Sequence, residues 1–175
     1  MLEIRTVIAD TERIVERLSH LDEFLGEIVD IGIQSTHDII AEVFEGEGEV
    51  PRIGKRRWAP LKPRTIEIRL SLGFGEGPIL VRTGSLKAAM LDESNSMHVV
   101  QRIRVGPCHY MGKVGTTDVR FEWHQTGDDP SQPTGIITPR PIWPLGEQER
   151  RFVDSVTDTI ERALVDWMVH GRIHD

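Results

Sequence analysis

Arg52, Lys55, Arg56 and Arg57 crowd four cations into six residues, and Trp58 follows them directly. Such a cluster could neutralise backbone phosphates while the indole stacks on a base. The same residues could instead serve a protein contact or balance the acidic run at 45–49, because basic clusters of this size are usually paired or solvated. Gly73-Phe74-Gly75-Glu76-Gly77 could in principle cradle a phosphate. A phosphate loop, however, follows a strand and opens a helix, whereas this one runs into Pro78 and lacks the Lys-Ser/Thr pair. A flexible loop is the reading here. The seven histidines include no His-Glu-x-x-His pair. His170 and His174 stand four apart, but Gly171 interrupts them. Cys108 and His109 are neighbours, and on a strand they would point to opposite faces, whereas a nucleophile and its base must face each other. No catalytic, metal-ligating or cofactor-binding residues are expected, and the chain is not expected to be an enzyme.

The elements that must hold these residues are bounded by composition. At 175 residues the chain suits one domain, 1–175, and 38% hydrophobic with 28% charged residues is typical of a globular protein. A formal charge of −7 argues against a general nucleic-acid coat. The single cysteine excludes an internal disulfide and an all-thiolate metal site. No apolar run approaches the roughly 20 residues of a membrane helix, and Met1-Leu2-Glu3-Ile4-Arg5 lacks a leader's pattern, so neither membrane insertion nor cleaved secretion is expected.

Ile14, Leu18, Leu21, Leu25 and Ile28 recur at helical spacing, and Val29, Ile33, Ile40 and Val43 continue on a shifted face. This predicts an N-terminal helical segment over 1–44, N-capped at Asp10 or Thr11. A kink or break is expected near Gly26 and Gly32, and part of the segment is expected to meet a neighbouring subunit. Residues 45–57 read as a flexible charged loop. Residues 58–145 read as a sheet core with long loops: a short helix from Thr65, an apolar strand Ile79-Leu80-Val81, a helical turn after Thr83-Gly84-Ser85, and a strand alternating through Val99, Ile103 and Val105. A second strand is expected through Val119, Phe121 and Trp123, with 106–117 as the connection between the two. Residues 126–139 read as a polar loop. A helix over 146–171 then carries Val153, Val156, Ile160, Ala163 or Leu164, and Trp167, with Gly171 closing it. The fold class is α+β: a long N-terminal helical segment, a small antiparallel sheet and a C-terminal helix.

Several blocks, in order, resemble one family. They are Gly54-Lys55-Arg56-Arg57-Trp58-Ala59-Pro60-Leu61 with Thr65, Pro78-Ile79-Leu80-Val81-Arg82-Thr83-Gly84-Ser85-Leu86, Val105-Gly106 with Tyr110, His124-Gln125-Thr126-Gly127, and Ile137-Thr138-Pro139-Arg140-Pro141. Together these are similar to the tailed-phage virion-morphogenesis family, the tail-completion proteins of Mu-like and P2-like phages. The acidic loop at 45–49 and the polar stretch 111–118 depart from that pattern. The resemblance implies a structural neck protein that completes the tail and helps join it to the DNA-filled head. It implies a closed, hexameric ring in the virion, assembled in the host cytoplasm beside neck, tail-terminator or tail-tube proteins. DNA would pass through the lumen without specific binding, and no membrane would be involved. Within that picture Trp58 and Trp143, in proline-rich segments, are expected to anchor a partner or pin their own segments, and Arg140, between prolines, to make a salt bridge across an interface. Arg52, Lys55, Arg56 and Arg57 complete the expected interface. The alternative is a DNA-binding accessory protein of phage assembly that uses 52–58.

Overall fold

The computed structural model describes residues 12–127 and 137–171. Residues 12–19 are helical (α1), and a turn at His20 separates them from the long helix α2, Leu21–Glu45. The chain then forms a 3-10 turn at Pro51–Ile53, helix α3 at Pro63–Ser71 and helix α4 at Ser85–Leu91. A hairpin of β1 (His98–Gly106) and β2 (His109–Thr116) follows, then helices α5 (Val119–Thr126) and α6 (Glu147–His170). This is an α+β fold in which N- and C-terminal helices flank a two-stranded antiparallel sheet.

The core is built chiefly by helices. Ile39, Ile40, Val43 and Phe44 from the second half of α2 are buried with Val50, Ile53, Trp58, Ile79, Leu86, Met90, Ile142 and Phe152. The sheet lies beside this cluster, so the expected sheet core is replaced by a helical one. At the other end of α2, Phe24 stacks on Trp167 with ring centroids 4.2 Å apart, which fastens α6 antiparallel to α2. Phe152, Ala163 and Trp167 are the buried positions of α6, while Val153 is 52% exposed. The stripe therefore sits one position N-terminal of Val153 at its start and takes Ala163 rather than Leu164.

Four expectations are corrected. Gly26 and Gly32 do not interrupt α2; the break comes at His20. Gly32 instead lets α6 approach, since a Cβ there would stand 3.3 Å from Ile160 Cδ1. The second strand is not at Val119. Asp118 caps a helix there by accepting from the Arg120 amide at 3.0 Å, and Gly127 ends it in the left-handed region. The true second strand is the polar β2, which pairs with β1 from His98↔Thr116 to Arg104↔Tyr110. Its Gly112 packs on α2, where a Cβ would come within 3.1 Å of Val29 Cγ1. Ile79-Leu80-Val81 is a turn in which Leu80 has φ 61, not a strand. The proposed N-caps Asp10 and Thr11 lie outside the described residues, as does 128–136 of the polar loop.

Residues 45–57 fold back on the core instead of forming a loose arm. Val50 and Lys55 form a β-bridge, and the Trp58 amide donates to Glu47 O at 2.7 Å. The short helix α4 opens at Gly84, whose φ of 72 belongs to the left-handed region that glycine tolerates, with open space where a Cβ would be. Gly127 is more constrained. It has φ 81, and a Cβ would meet Pro139 Cγ at 2.7 Å and Ile137 O at 3.0 Å. Gly127→Ala is accordingly expected to destabilise the fold by about 2 kcal/mol, measured as a lower denaturation midpoint, whereas Gly84→Ala meets only the backbone penalty.

Candidate functional site

The blocks that drew attention in sequence converge on one junction. Its centre is the linker Arg140-Pro141-Ile142-Trp143 between α5 and α6. Pro141 O accepts from Lys55 Nζ at 2.6 Å and from the Trp58 indole N–H at 3.0 Å. Gln125 on α5 reads the next peptide completely. Its Oε1 accepts from the Ile142 and Trp143 amides at 3.0 and 3.1 Å, and its Nε2 donates to Trp143 O at 2.8 Å. Arg140 donates in the opposite direction, to Ala59 O at 3.2 Å and Pro60 O at 3.1 Å, while its amide donates to His124 O at 2.8 Å. Segments 55–60, 124–127 and 137–143 are thereby stapled together through main-chain groups that find side-chain partners.

Electrostatics follow from burial. Lys55 is 3% exposed, and burial lowers its pKa to about 8. Burial also lowers the Arg140 pKa. His124 Nδ1 is buried without a hydrogen-bond partner. Burial first, then the Arg140 and Arg120 charges, push the His124 pKa down to about 4, against a smaller opposing pull from Asp118. Asp118 is held low chiefly by its hydrogen bond from Arg120, which also donates to Ser85 Oγ at 2.9 Å and so ties α5 to the start of α4. A histidine neutral when folded but protonated when unfolded destabilises the fold on acidification. Above pH 6.5 both states are neutral, and between 6.5 and about 4 only the unfolded chain takes the proton. Stability is therefore expected to fall across that window, by on the order of 3 kcal/mol at full extent. His37, whose pKa burial and His98 also lower, acts in the same direction. His124→Phe should flatten part of the pH dependence of the unfolding midpoint; an unchanged profile would assign it all elsewhere.

The expected interface residues have mostly intramolecular duties. Trp58 is buried, edge-on to Phe44 with centroids 6.1 Å apart. Arg52 forks onto Glu42 at 2.6 and 3.0 Å and reaches Ser155 Oγ on α6 at 3.2 Å. Arg57 pairs with Glu47, whose pKa it depresses, and Glu47 also accepts from the Ile79 amide at 3.1 Å. The basic residues thus largely answer the acidic ones before them. Arg56 is exposed. Trp143 is half-buried and tilted on Phe152 at 5.1 Å. Within the chain, Arg140 clamps the carbonyls of Ala59, Pro60 and Thr138.

Of the other motif positions, Leu86 is buried, Leu61 packs against the core and Thr65 is exposed in the first turn of α3. Thr83 Oγ1 and Ser85 Oγ share a hydrogen bond of 2.8 Å beside Gly84. Arg69 was missed in sequence. It is 5% exposed, and its guanidinium donates to Gly75 O, Gly77 O and Pro78 O at 2.9, 3.0 and 3.1 Å. These bonds shape the glycine-rich segment as a carbonyl-out loop, opposite to the amide-out cradle a phosphate requires. A lone arginine in an amphipathic pattern offers no signal for this role. Among the described residues, no group of three or more His, Cys, Asp or Glu side chains is placed to hold a metal ion, and no helix is long and apolar enough to cross a membrane. No protein-family model, no curated protein and no solved structure matches the chain.

Proposed function

We propose that this chain is a structural neck protein of a tailed phage, a ring subunit that completes the tail and helps join it to the filled head without catalysis. The observation that carries the reading is the junction itself. Blocks resembling one family, lying up to about eighty residues apart, meet through reciprocal main-chain bonds such as Arg140 to Ala59 and Pro60. That arrangement is a frame, and it serves a part whose job is to hold shape under load. Copies associate with one another and with neck, tail-terminator or tail-tube proteins, and DNA passes the assembly without being bound. The site is the virion neck, reached from the host cytoplasm during assembly. The DNA-binding alternative loses its main anchors, because Lys55 and Trp58 are buried and Arg52 and Arg57 are engaged with carboxylates.

The test pairs light scattering of the purified chain with negative-stain images of virions made without it. Separated heads and tails in its absence, with a ring in solution or on isolated tails, are expected. A stable monomer with intact virions in its absence would sink the proposal. DNA affinity falling steeply with salt would favour the alternative instead.

A further inference from the structure

The β1–β2 hairpin is anchored to the fold from one side. None of the residues 98–116 is buried, and none belongs to the core cluster. The hairpin rests on α2 and meets α4 at its base, while toward α6 lies an open trough of about 730 Å³. Three polar contacts, about two turns apart along α2, fasten it. Asp22 pairs with Arg104 and accepts from the Cys108 amide at 2.9 Å, and Asp30 pairs with Arg102. The third contact is His37 against His98, with ring centroids 5.1 Å apart and planes inclined by 49°.

This third contact differs in kind. An Asp–Arg pair satisfies both members, whereas two imidazoles do not. His98 Nδ1 lies 3.3 Å from Ala89 O, and a carbonyl can only accept, so in the neutral ring Nδ1 carries the hydrogen. Nε2 is then the site left for a proton. Yet the Nε2 atoms of both rings are buried with no hydrogen-bond partner among the described residues. A proton on either ring therefore places a charge in a buried contact, beside the other ring. The carboxylates around the pair offset this only in part, because each has a partner of its own. Glu93 is turned to Arg102 at 3.4 Å, Asp38 accepts from Gln34 at 2.8 Å, and Asp92 accepts from the Ser94 amide at 2.9 Å. Arg102, on the strand that carries His98, adds a like charge. His37 is 8% exposed, and burial first, then His98, lower its pKa against smaller opposing pulls from Glu93 and Asp38.

We propose that the His37–His98 pair is an acid-sensitive latch, which holds the hairpin on α2 at neutral pH and releases it on acidification while the helical core stays folded. The sign follows from which state takes the proton. With the hairpin docked, His37 resists protonation; with it lifted, the ring meets water and titrates near its ordinary 6.5. Release is thus favoured as pH falls below 6.5, by up to about tenfold per pH unit until the docked state also takes the proton. The pivot is the base of the hairpin, where Met97 O accepts from the Thr117 amide at 2.8 Å and the Thr116 hydroxyl at 3.0 Å. Lifting uncovers Val29 and Ile33, against which Gly112 lies, and leaves Ile39, Ile40, Val43 and Phe44 in their cluster.

Hydrogen exchange of the full chain, followed by peptide from about pH 7.5 to about pH 5.5, tests the latch above the ordinary carboxylate range. A lone two-stranded hairpin is marginally stable in water, so its ladder amides exchange once it lifts. After correction for intrinsic rates, protection over 98–116 should fall several-fold relative to 39–44, with about tenfold as the ceiling for one histidine. Referring the hairpin to the core removes the global loss that His124 brings. His37→Phe keeps a ring against His98 that takes no proton, and His37→Gln replaces it should that variant not fold. Near-UV circular dichroism verifies the fold. The variant should lose more than half of the pH dependence of the hairpin-to-core ratio. Hairpin and core losing protection in step, a ratio that pH does not move, or half or more of the dependence surviving in the variant would each overturn the latch.

Discussion

Trp58→Ala is expected to cost the folded chain about 4 kcal/mol, a loss seen in the isolated protein. The indole is 6% exposed and lies edge-on to Phe44. Its N–H donates to Pro141 O at 3.0 Å. Gly48 gives it room, as a Cβ there would fall 2.6 Å from the ring. Truncation opens a cavity between α2 and the 140–143 linker and removes a buried donor together. Trp58→Phe keeps much of the packing and loses the hydrogen bond, so it should cost about 1–2 kcal/mol. Denaturant titration of both variants reads the difference. An interface anchor would behave otherwise: assembly would fail while the unfolding midpoint stayed in place.

Arg140→Ala is expected to follow closely, at about 3 kcal/mol. The side chain is 7% exposed, and its partners are the carbonyls of Ala59, Pro60 and Thr138. Removing it takes the donor from the Ala59, Pro60 and Thr138 carbonyls and frees the 59–60 segment from the linker. Arg140→Lys should restore little, because one ammonium cannot reproduce the two directions of the planar fork. Arg140→Met should recover part of the loss through packing, since the burial cost of the charge disappears with it. A second readout separates this from loose packing alone. The Arg140 charge helps hold His124 neutral, so in Arg140→Met the His124 pKa should rise from about 4, followed by its ring proton shifts. An unmoved His124 would show that the two are not electrically coupled.

These two residues also show where sequence reasoning stops. Tryptophan and arginine in proline-rich segments are the residue types that anchor interfaces, and nothing local distinguishes an anchor for a partner from one for the chain itself. Trp58 and Arg140 are separated from their carbonyl partners by about eighty residues, and only folding brings those carbonyls to hand. Arg69 is the converse case, a residue of ordinary surface type drawn inside by three carbonyls of a neighbouring turn.

Much was nevertheless determined by the sequence alone. The periodic apolar residues of 21–45 and 147–170 make two long helices, and Gly171, with φ 69, closes the second as its position implies. The alternation from 98 to 106 makes a strand, and the short helix expected from Thr65 forms, beginning two residues earlier at Pro63. These features depend on local repeats and caps, whose energetics lie within a few residues. Tertiary structure decided the rest. Val119, Phe121 and Trp123 alternate as a strand would, yet Asp118 and Gly127 cap them into a helix that delivers Gln125 to the 142–143 peptide. Polar β2 becomes the second strand because β1 offers it a ladder and Gly112 lets it lie on α2. The basic stretch lies against the fold because Lys55 finds Pro141 O and Arg52 finds Glu42. In each case a competing long-range partner outweighed a weak local preference, and such partners are set by the packing of distant segments rather than by their spacing in the chain.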